Sequence, residues 1–355
     1  MKITIAGAGN AGSTIAADLS LKGHEVTILK TSKKLHNEHY EAMVENGYKI
    51  EFIRKGKSKE AKISLITTDY DSALKNSQLI ILYVQTNYQE DVIKKMAPYL
   101  DNQVILIEPG YLATMYFLKH CKNKNLTIVE AESSPMDCRI TKAGQVTVLF
   151  ENVRNPIGIY PESKAHETFE MLKALEYNFV KSKSVIEAAL NNPNLIVHTI
   201  GAFMSIPRIE YANGEYWMYK EVFTKSVWNI VCALDREKIQ ILNKLKCKGN
   251  TYVEECKFRN SLDTSLDATE VFFDYANNHS CKGPFVSNSR YITEDVPEGL
   301  VLMESIGKYL EILTPICSSL INMSSAALNR DFRKEGRTLE KLGLENFKSL
   351  IENIL

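Results

Sequence analysis

The chain has 355 residues, 45% of them apolar and 24% charged, a composition typical of soluble globular proteins and a length sufficient for two domains. Its 43 basic and 43 acidic residues cancel, which argues against nucleic-acid and membrane-surface proteins. No apolar run approaches the length of a membrane span, and no signal peptide is predicted. Seven scattered cysteines without a CxxC pair argue against a disulfide framework and against a metal site, and they favour a cytoplasmic location.

A glycine-rich turn follows the first predicted strand. Residues 2–6 form a short apolar run typical of a buried strand, and residues 7–12 read Gly-Ala-Gly-Asn-Ala-Gly. We predict a helix over 13–22 and a second strand over 25–29. This order and spacing predict a dinucleotide-binding βαβ unit, and a tight turn without a ligand is the alternative.

Each glycine of this turn has an expected role. Gly7 permits the tight turn, Gly9 lets backbone amides approach a pyrophosphate, and Gly12 lets the helix pack closely on the strand. Asn10 and Ala11 lie where the helix begins, and free N–H groups at a helix N-terminus bind phosphates.

The tip of the second predicted strand indicates which cofactor is preferred. A site for NAD usually has an acidic residue there, about 20 residues after the glycines, to bind the ribose 2′-hydroxyl. Here Lys30, Ser32 and Lys33 occupy the tip, and the next acid is Glu38. Cations and hydroxyls suit a 2′-phosphate, so NADP(H) is favoured and NAD(H) remains open. A solvated loop is the alternative interpretation of these lysines.

Strand and helix patterns alternate through the rest of the first half. We predict strands over 79–84, 103–107 and 126–129, helices over 71–75, 90–100 and 110–121, and a hairpin that pairs 48–52 with 61–67. Such alternation predicts a doubly wound parallel sheet, a Rossmann-type α/β fold. Ligands of these sheets bind beyond the carboxyl ends of the strands, which places Gln85, Thr86, Pro109 and Gly110 near the cofactor.

The pattern becomes mostly helical in the second half. Apolar residues recur every three or four positions over 185–205, 217–245, 263–278, 296–309 and 314–328. We therefore predict an NAD(P)-binding domain over 1–182 and a helical substrate domain over 183–355. The boundary contains no flexible linker, so we expect the substrate in a cleft between packed domains.

Two segments of the second half carry reactive side chains. His198 lies in an apolar helical stretch after Asn-Asn-Pro-Asn, and it is either a packed residue or a general acid/base. The segment 289–299 contains an arginine, a threonine, two acids and a proline. A helix start with Thr293 as N-cap explains the acids and the proline, but it does not explain Arg290, whose planar fork suits a carboxylate ligand.

These motifs resemble the opine dehydrogenase family, also called the octopine/nopaline dehydrogenase family. The resemblance rests on the GAGNAG turn, on the Asn-Pro-Asn segment before His198, on the segment 290–297 and on the segment 330–343, and it extends over nearly the whole chain. It implies a Rossmann domain followed by a helical domain. It also implies reductive condensation of an amino acid with an α-keto acid, often pyruvate, using NAD(P)H.

The resemblance assigns a role to individual residues. His198 matches the acid/base histidine of the family, Asp295 its carboxylate partner, and Arg290 the arginine that binds the keto-acid carboxylate. Two further residues are candidate substrate contacts: Arg139, which could instead pair with Asp137, and Tyr216, which could instead be core packing. A homodimer is compatible with these expectations.

Two other functions remain open. A hydroxy-acid dehydrogenase of the ketopantoate-reductase or glycerol-phosphate type shares this layout but uses a lysine as its acid/base. A non-catalytic NADP(H) sensor would keep only the Rossmann unit.

Overall fold

The computed structural model describes residues 1–122, 124–212 and 214–354. The chain divides into two compact units, Met1–Val185 and Ile186–Leu355. Within the described ranges, no helix combines the length and hydropathy that crossing a bilayer requires. The same ranges contain no group of three or more side chains that could hold a metal ion.

Strands and helices alternate in the first unit. Its strands are β1 Lys2–Ala6, β2 Glu25–Leu29, β3 Lys49–Arg54, β4 Lys57–Lys62, β5 Leu65–Thr67, β6 Leu79–Leu82, β7 Val104–Ile107, β8 Thr127–Ala131, β9 Met136–Lys142, β10 Gln145–Glu151, β11 Asn155–Tyr160 and β12 Phe179–Lys181. Its helices are α1 Asn10–Leu21, α2 Asn37–Glu45, α3 Tyr70–Leu74, α4 Gln89–Met96, α5 Thr114–His120 and α6 Ala165–Leu172, and α7 Val185–Leu190 begins at its last residue.

The main sheet has the strand order β12-β11-β8-β7-β6-β1-β2-β5. Neighbours from β8 to β5 are parallel, whereas β11 runs antiparallel to β8. The chain builds β2 and β5 on one side of β1 and then crosses to β6 on its other side. The loops after β1 and β6 therefore lie at the switch point of the sheet, where dinucleotides bind in this fold. The predicted Rossmann architecture is confirmed.

The predicted hairpin is only partly correct. β3 and β4 pair antiparallel, but residues 65–67 leave the hairpin and pair with β2 in the main sheet. The chain passes from the hairpin to the main sheet between two adjacent residues. The Ile63 N–H donates to the Tyr48 carbonyl in the hairpin, whereas the Ser64 N–H donates to the Val26 carbonyl of β2. A smaller sheet of order β4-β3-β10-β9 completes the unit.

The second unit is helical. Its further helices are α8 Asn194–Met204, α9 Ile206–Ala212, α10 Met218–Glu221, α11 Lys225–Lys244, α12 Tyr252–Asn260, α13 Ala268–Asn278, α14 Arg290–Thr293, α15 Val301–Tyr309, α16 Pro315–Leu328, α17 Phe332–Glu335, α18 Leu339–Leu342 and α19 Leu344–Glu352. A π-helical turn, Val296–Leu300, joins α14 to α15. The helix predicted over 185–205 is interrupted at 191–193, because Pro193 has no N–H to continue it. The helix predicted from 263 begins only at Ala268, where the Asp267 carboxylate caps the Thr269 and Glu270 amides.

Two buried glutamates lie at the ends of neighbouring strands of the first unit, Glu108 just after β7 and Glu130 within β8. Glu130 accepts hydrogen bonds from the Leu112 N–H, the Thr114 N–H and the Thr114 hydroxyl, at 2.6–3.0 Å. Glu108 is equally enclosed, and the Tyr83 hydroxyl donates to its Oε2. Burial raises the pKa of Glu108 well above its ordinary value, so this carboxyl group favours the neutral form.

A buried ion pair holds the C-terminal segment on the π-helical turn of the second unit. Arg337 is fully buried, and its Nε lies 2.8 Å from Glu298 Oε2. A backbone hydrogen bond joins the same two segments, since the Arg337 N–H donates to the Pro297 carbonyl at 2.9 Å. Gly336 permits this approach, since a Cβ there would lie 2.4 Å from the Pro297 oxygen.

We expect Arg337→Leu to lower the free energy of unfolding by about 3–5 kcal/mol, because it leaves the Glu298 charge buried without its partner. Arg330→Leu is the matched control: the Arg330–Glu335 pair is 38% and 39% exposed, and its loss should cost at most about 1 kcal/mol. Urea unfolding of the three proteins measures both values. Equal losses in the two variants would contradict a special contribution from the buried pair.

Glu108→Gln should change how stability depends on pH. A carboxyl whose folded pKa is raised contributes stability that is complete below its unfolded pKa and declines as pH rises. The unfolding free energy of the variant relative to the unmodified chain should therefore increase above about pH 4.3, by at most about 1.4 kcal/mol per pH unit. Urea unfolding from pH 5 to pH 9 tests this, and a difference independent of pH would contradict it.

Candidate active site

Close backbone contacts fix the glycine turn of the first unit. Gly7 has φ +131°, and a Cβ there would lie 2.2 Å from the Tyr83 carbonyl oxygen of the neighbouring loop. A Cβ on Gly12 would lie 1.9 Å from the Gly7 oxygen, so α1 packs directly on the end of β1. Only glycine fits at either position without moving the backbone.

The first turn of α1 presents free donors at this loop. The Ser13 N–H makes the first helical hydrogen bond, to the Gly9 carbonyl at 3.0 Å, so the amides of Asn10, Ala11 and Gly12 precede the hydrogen-bonded part of the helix. The Asn10 side chain has a local role, because its Oδ1 accepts the Ile140 N–H at 2.7 Å and ties the turn to β9. The open amides and the glycine cradle fit the pyrophosphate of a dinucleotide.

The tip of β2 differs from the sequence-based expectation at Lys30. This lysine is buried, and its ammonium group donates to the Ser32 and Leu35 carbonyls and to Asn37 Oδ1. These bonds occupy its three N–H donors, so Lys30 shapes the loop and offers no free donor to a phosphate. Ser32 Oγ accepts the Lys34 and Leu35 amides at 3.2 and 3.0 Å. Lys33 is exposed and can face a ligand.

Sequence reasoning missed His36, which lies next to the glycine turn. Its ring atoms are 3.3 Å from the position that a Cβ on Gly9 would occupy. Burial and the nearby Lys30 charge lower the pKa of His36, so the ring favours its neutral form. A histidine after the second strand has no motif of its own, and only the fold brings it to the turn.

The loops after β6 and β7 are joined to each other. The Gln89 side chain donates to the Val84 and Pro109 carbonyls, at 3.4 and 3.2 Å. Gln85 and Thr86 lie in the first of these loops. Gly110 lies in the second, where a Cβ would be 2.4 Å from Glu130 Oε2. The four predicted residues thus lie just beyond the carboxyl ends of β6 and β7. The glycine turn follows the carboxyl end of the parallel strand β1, on the same side of the sheet.

His198 and Asp295 meet inside the second unit. His198 Nδ1 lies 2.9 Å from Asp295 Oδ2, and the side chains are 10% and 3% exposed. Within residues 1–122, 124–212 and 214–354, no group hydrogen-bonds the other ring nitrogen, Nε2. A carboxylate on Nδ1 fixes the tautomer and leaves Nε2 for proton exchange.

The segment with Asp295 is not the helix start predicted at Thr293. Ser289 precedes α14, and the Thr293 hydroxyl donates back to the Ser289 carbonyl at 3.1 Å, so Thr293 lies inside a helical turn. Pro297 has no N–H and would crowd the Thr293 carbonyl, and the helix responds by widening into the π-helical turn. Asp295 immediately precedes this wide turn.

Arg290 and Tyr291 begin the same helical segment. Arg290 is 55% exposed, and its Nε lies 3.0 Å from Glu294 Oε2, one turn further along. The Tyr291 ring stacks on the His198 imidazole, with centroids 3.7 Å apart and planes at 11°. Sequence reasoning missed Tyr291, although its position four residues before Asp295 places both on one helix face.

The two remaining candidates, Arg139 and Tyr216, have contacts of their own. Arg139 is on β9 of the first unit, where its exposed side chain donates to the Cys138 carbonyl at 2.8 Å. Tyr216 is 1% exposed, and its hydroxyl is hydrogen-bonded to Ser205 Oγ. A ring so enclosed does not form a pocket wall, so the packing interpretation fits Tyr216 better than substrate contact.

Two protein-family models match successive parts of the chain. The model described as "Ketopantoate reductase PanE/ApbA" matches residues 3–123. The model described as "NAD/NADP octopine/nopaline dehydrogenase, alpha-helical domain" matches residues 181–328, the part that contains His198, Arg290 and Asp295.

Whole-chain relatives agree with the second match. An opine dehydrogenase of Arthrobacter sp. (strain 1C) is 28% identical over 96% of this chain and 94% of its own. Octopine dehydrogenase in complex with NADH and agmatine has a similar structure, with a TM-score of 0.77, 18% identity and coverage of 99% and 98%. NADP+-bound yersinopine dehydrogenase gives a TM-score of 0.75 at 14% identity, with coverage of 100% and 97%. The resemblance to the opine dehydrogenase family is therefore confirmed, and these similarities indicate an NAD(P)-dependent oxidoreductase that acts on the CH–NH group.

Proposed function

We propose that this protein condenses the amino group of an amino acid with an α-keto acid, pyruvate in the first instance, and reduces the resulting imine with NADPH. The observation that carries the proposal is the enclosed His198–Asp295 pair, whose Nε2 makes no hydrogen bond to any described residue. The relatives support the substrate class, since octopine dehydrogenase is described in complexes with NADH and arginine and with NADH and pyruvate.

His198 has a defined task in this reaction. Attack of the amine on the keto carbon gives a carbinolamine, which must lose water before reduction. The His198 imidazolium donates the Nε2 proton to the departing hydroxyl, and Asp295 stabilises the positive ring before the transfer. Loss of water leaves the protonated imine, and NADPH, when bound, would supply the hydride that converts it into a secondary amine. The products are the secondary amine, NADP+ and water.

Arg290 is the proposed anchor for the keto-acid carboxylate. Its planar guanidinium can hold a carboxylate through two parallel hydrogen bonds, which a lysine cannot reproduce. We expect Arg290→Lys to raise KM for pyruvate about tenfold or more, with a smaller effect on KM for the amino acid. Arg208→Lys, which alters another exposed arginine paired with a glutamate, is the matched control. Unchanged KM for pyruvate in Arg290→Lys would contradict this role.

A hydroxy-acid dehydrogenase would need a lysine as acid/base, and the second unit has a buried candidate in Lys238. Its Nζ lies 2.8 Å from Asp235 Oδ1, and both side chains are at most 5% exposed. Asp235 Oδ2 also accepts the Tyr252 N–H at 2.6 Å. Because its ammonium group is held by Asp235, Lys238 fits a structural role better than proton exchange. This favours His198 as the acid/base.

The direct test of the function is a substrate matrix. Cofactor oxidation should require an α-keto acid and an amino acid together, and it should be measured with NADPH and NADH in parallel. Oxidation by pyruvate alone would favour the hydroxy-acid dehydrogenase. Cofactor binding without turnover on any pair would favour the sensor.

Removal of the acid/base should separate chemistry from cofactor binding. We expect His198→Ala to lower kcat/KM by about 10²–10⁴-fold, the usual contribution of general acid–base catalysis. NADPH affinity should stay within about twofold, because the cofactor cradle belongs to the first unit. His279→Ala, an exposed histidine of the same unit, should retain full turnover. Turnover of His198→Ala within a few-fold of the unmodified chain would rule out the proposed role.

Lys33 is the residue on which the proposed NADPH preference now rests. Loss of one exposed charge on a 2′-phosphate should weaken NADPH binding about three- to tenfold and leave NADH binding unchanged. Lys59→Ala, on the exposed strand β4, controls for net charge. Dissociation constants from fluorescence titration decide the matter, and equal losses for both cofactors in Lys33→Ala would contradict the preference.

A further inference from the structure

Two residues of one helical turn hold the His198 ring in different ways. Asp295 bonds its edge at Nδ1, 2.9 Å away. Tyr291 covers one face, with ring centroids 3.7 Å apart and planes only 11° from parallel. Edge and face contacts together fix both the position and the tilt of the ring, whereas a single hydrogen bond would let the ring rotate about it.

The spacing of the two residues makes this double contact possible. Tyr291 and Asp295 are four residues apart, so their side chains lie on one face of the helical segment. The π-helical turn follows immediately, and the C-terminal segment holds it through the Arg337 N–H to Pro297 carbonyl bond and the Arg337–Glu298 pair.

A stacked aromatic ring also affects the charge of its neighbour. The face of a phenol ring is electron-rich, so it attracts an imidazolium more strongly than a neutral imidazole. The elements packed around α8 carry further ionisable groups. Four ion pairs lie on them: Arg290–Glu294, Glu298–Arg337, Asp235–Lys238 and Arg208–Glu221. The buried Glu237 of α11 accepts the Ile316 and Cys317 N–H groups. Helix α16 carries no acidic or basic residue.

We propose that Tyr291 is a positioning residue for the reaction: its ring aims His198 Nε2 at the carbinolamine and favours the imidazolium that donates the proton. This inference rests on the proposed function of His198 and extends it to a residue that never touches the reacting atoms. The hydroxyl of Tyr291 is not required for it, because the ring face makes the contact.

The test compares Tyr291→Leu, which removes the aromatic face, with Tyr291→Phe, which retains it. In Tyr291→Leu we expect kcat for condensation to fall about 3- to 30-fold, with little change in KM for NADPH. The midpoint of the alkaline limb of its pH–rate profile should move about half a unit to one unit lower, because the proton-donating form loses support. Tyr291→Phe should keep both the rate and the profile of the unmodified chain.

A second measurement does not depend on activity. A ring stacked at this distance shifts the His198 ring protons upfield in the NMR spectrum. The shift should persist in Tyr291→Phe and disappear in Tyr291→Leu, and Tyr291→Met, which also lacks an aromatic face, serves instead if the leucine variant fails to fold. An unchanged pH profile in Tyr291→Leu, or equal losses in the leucine and phenylalanine variants, would overturn the proposal. These outcomes are distinct from failure of the proposed function, which would appear as retained turnover in His198→Ala.

Discussion

The proposed chemistry of the second unit depends on one hydrogen bond, between His198 Nδ1 and Asp295 Oδ2. Its partners are 97 residues apart in sequence, and both are almost fully enclosed. Enclosed acid and base are stable only when each satisfies the other, so the elements that carry them must be held firmly. Pro193 sets the start of α8, Pro297 widens the turn after Asp295, and Arg337 secures that turn from behind.

The two units contribute differently to specificity. The first unit has a cofactor fold shared by several classes of dehydrogenase, which is why a ketopantoate-reductase model matches it. The second unit favours the proposed reaction, because the buried Lys238 is held in an ion pair with Asp235, whereas His198 Nε2 makes no hydrogen bond within the described part of the chain. The glycine turn alone therefore does not show which of these dehydrogenase reactions the protein catalyses.

The sequence predicts best what depends on local spacing. Gly7, Gly9 and Gly12 need only their own turn, and the motifs at His198 and at Arg290 with Asp295 are short and continuous. The prediction was wrong at Lys30, whose role depends on where Leu35 and Asn37 fold back onto it. It missed His36 and Tyr291 for the same reason, since each acts through a residue that only tertiary structure brings near. It also placed a helix start at Thr293, because the widening at Pro297 leaves no separate pattern in the sequence.

The central claim is that an imine, and not a keto group, receives the hydride. Reaction of NADPH deuterated at the transferred position with pyruvate and an amino acid tests this directly. We expect a secondary amine that carries one deuterium on the carbon derived from the keto group of pyruvate, identified by mass spectrometry and NMR. Deuterated lactate formed at the same rate with or without the amino acid would contradict it.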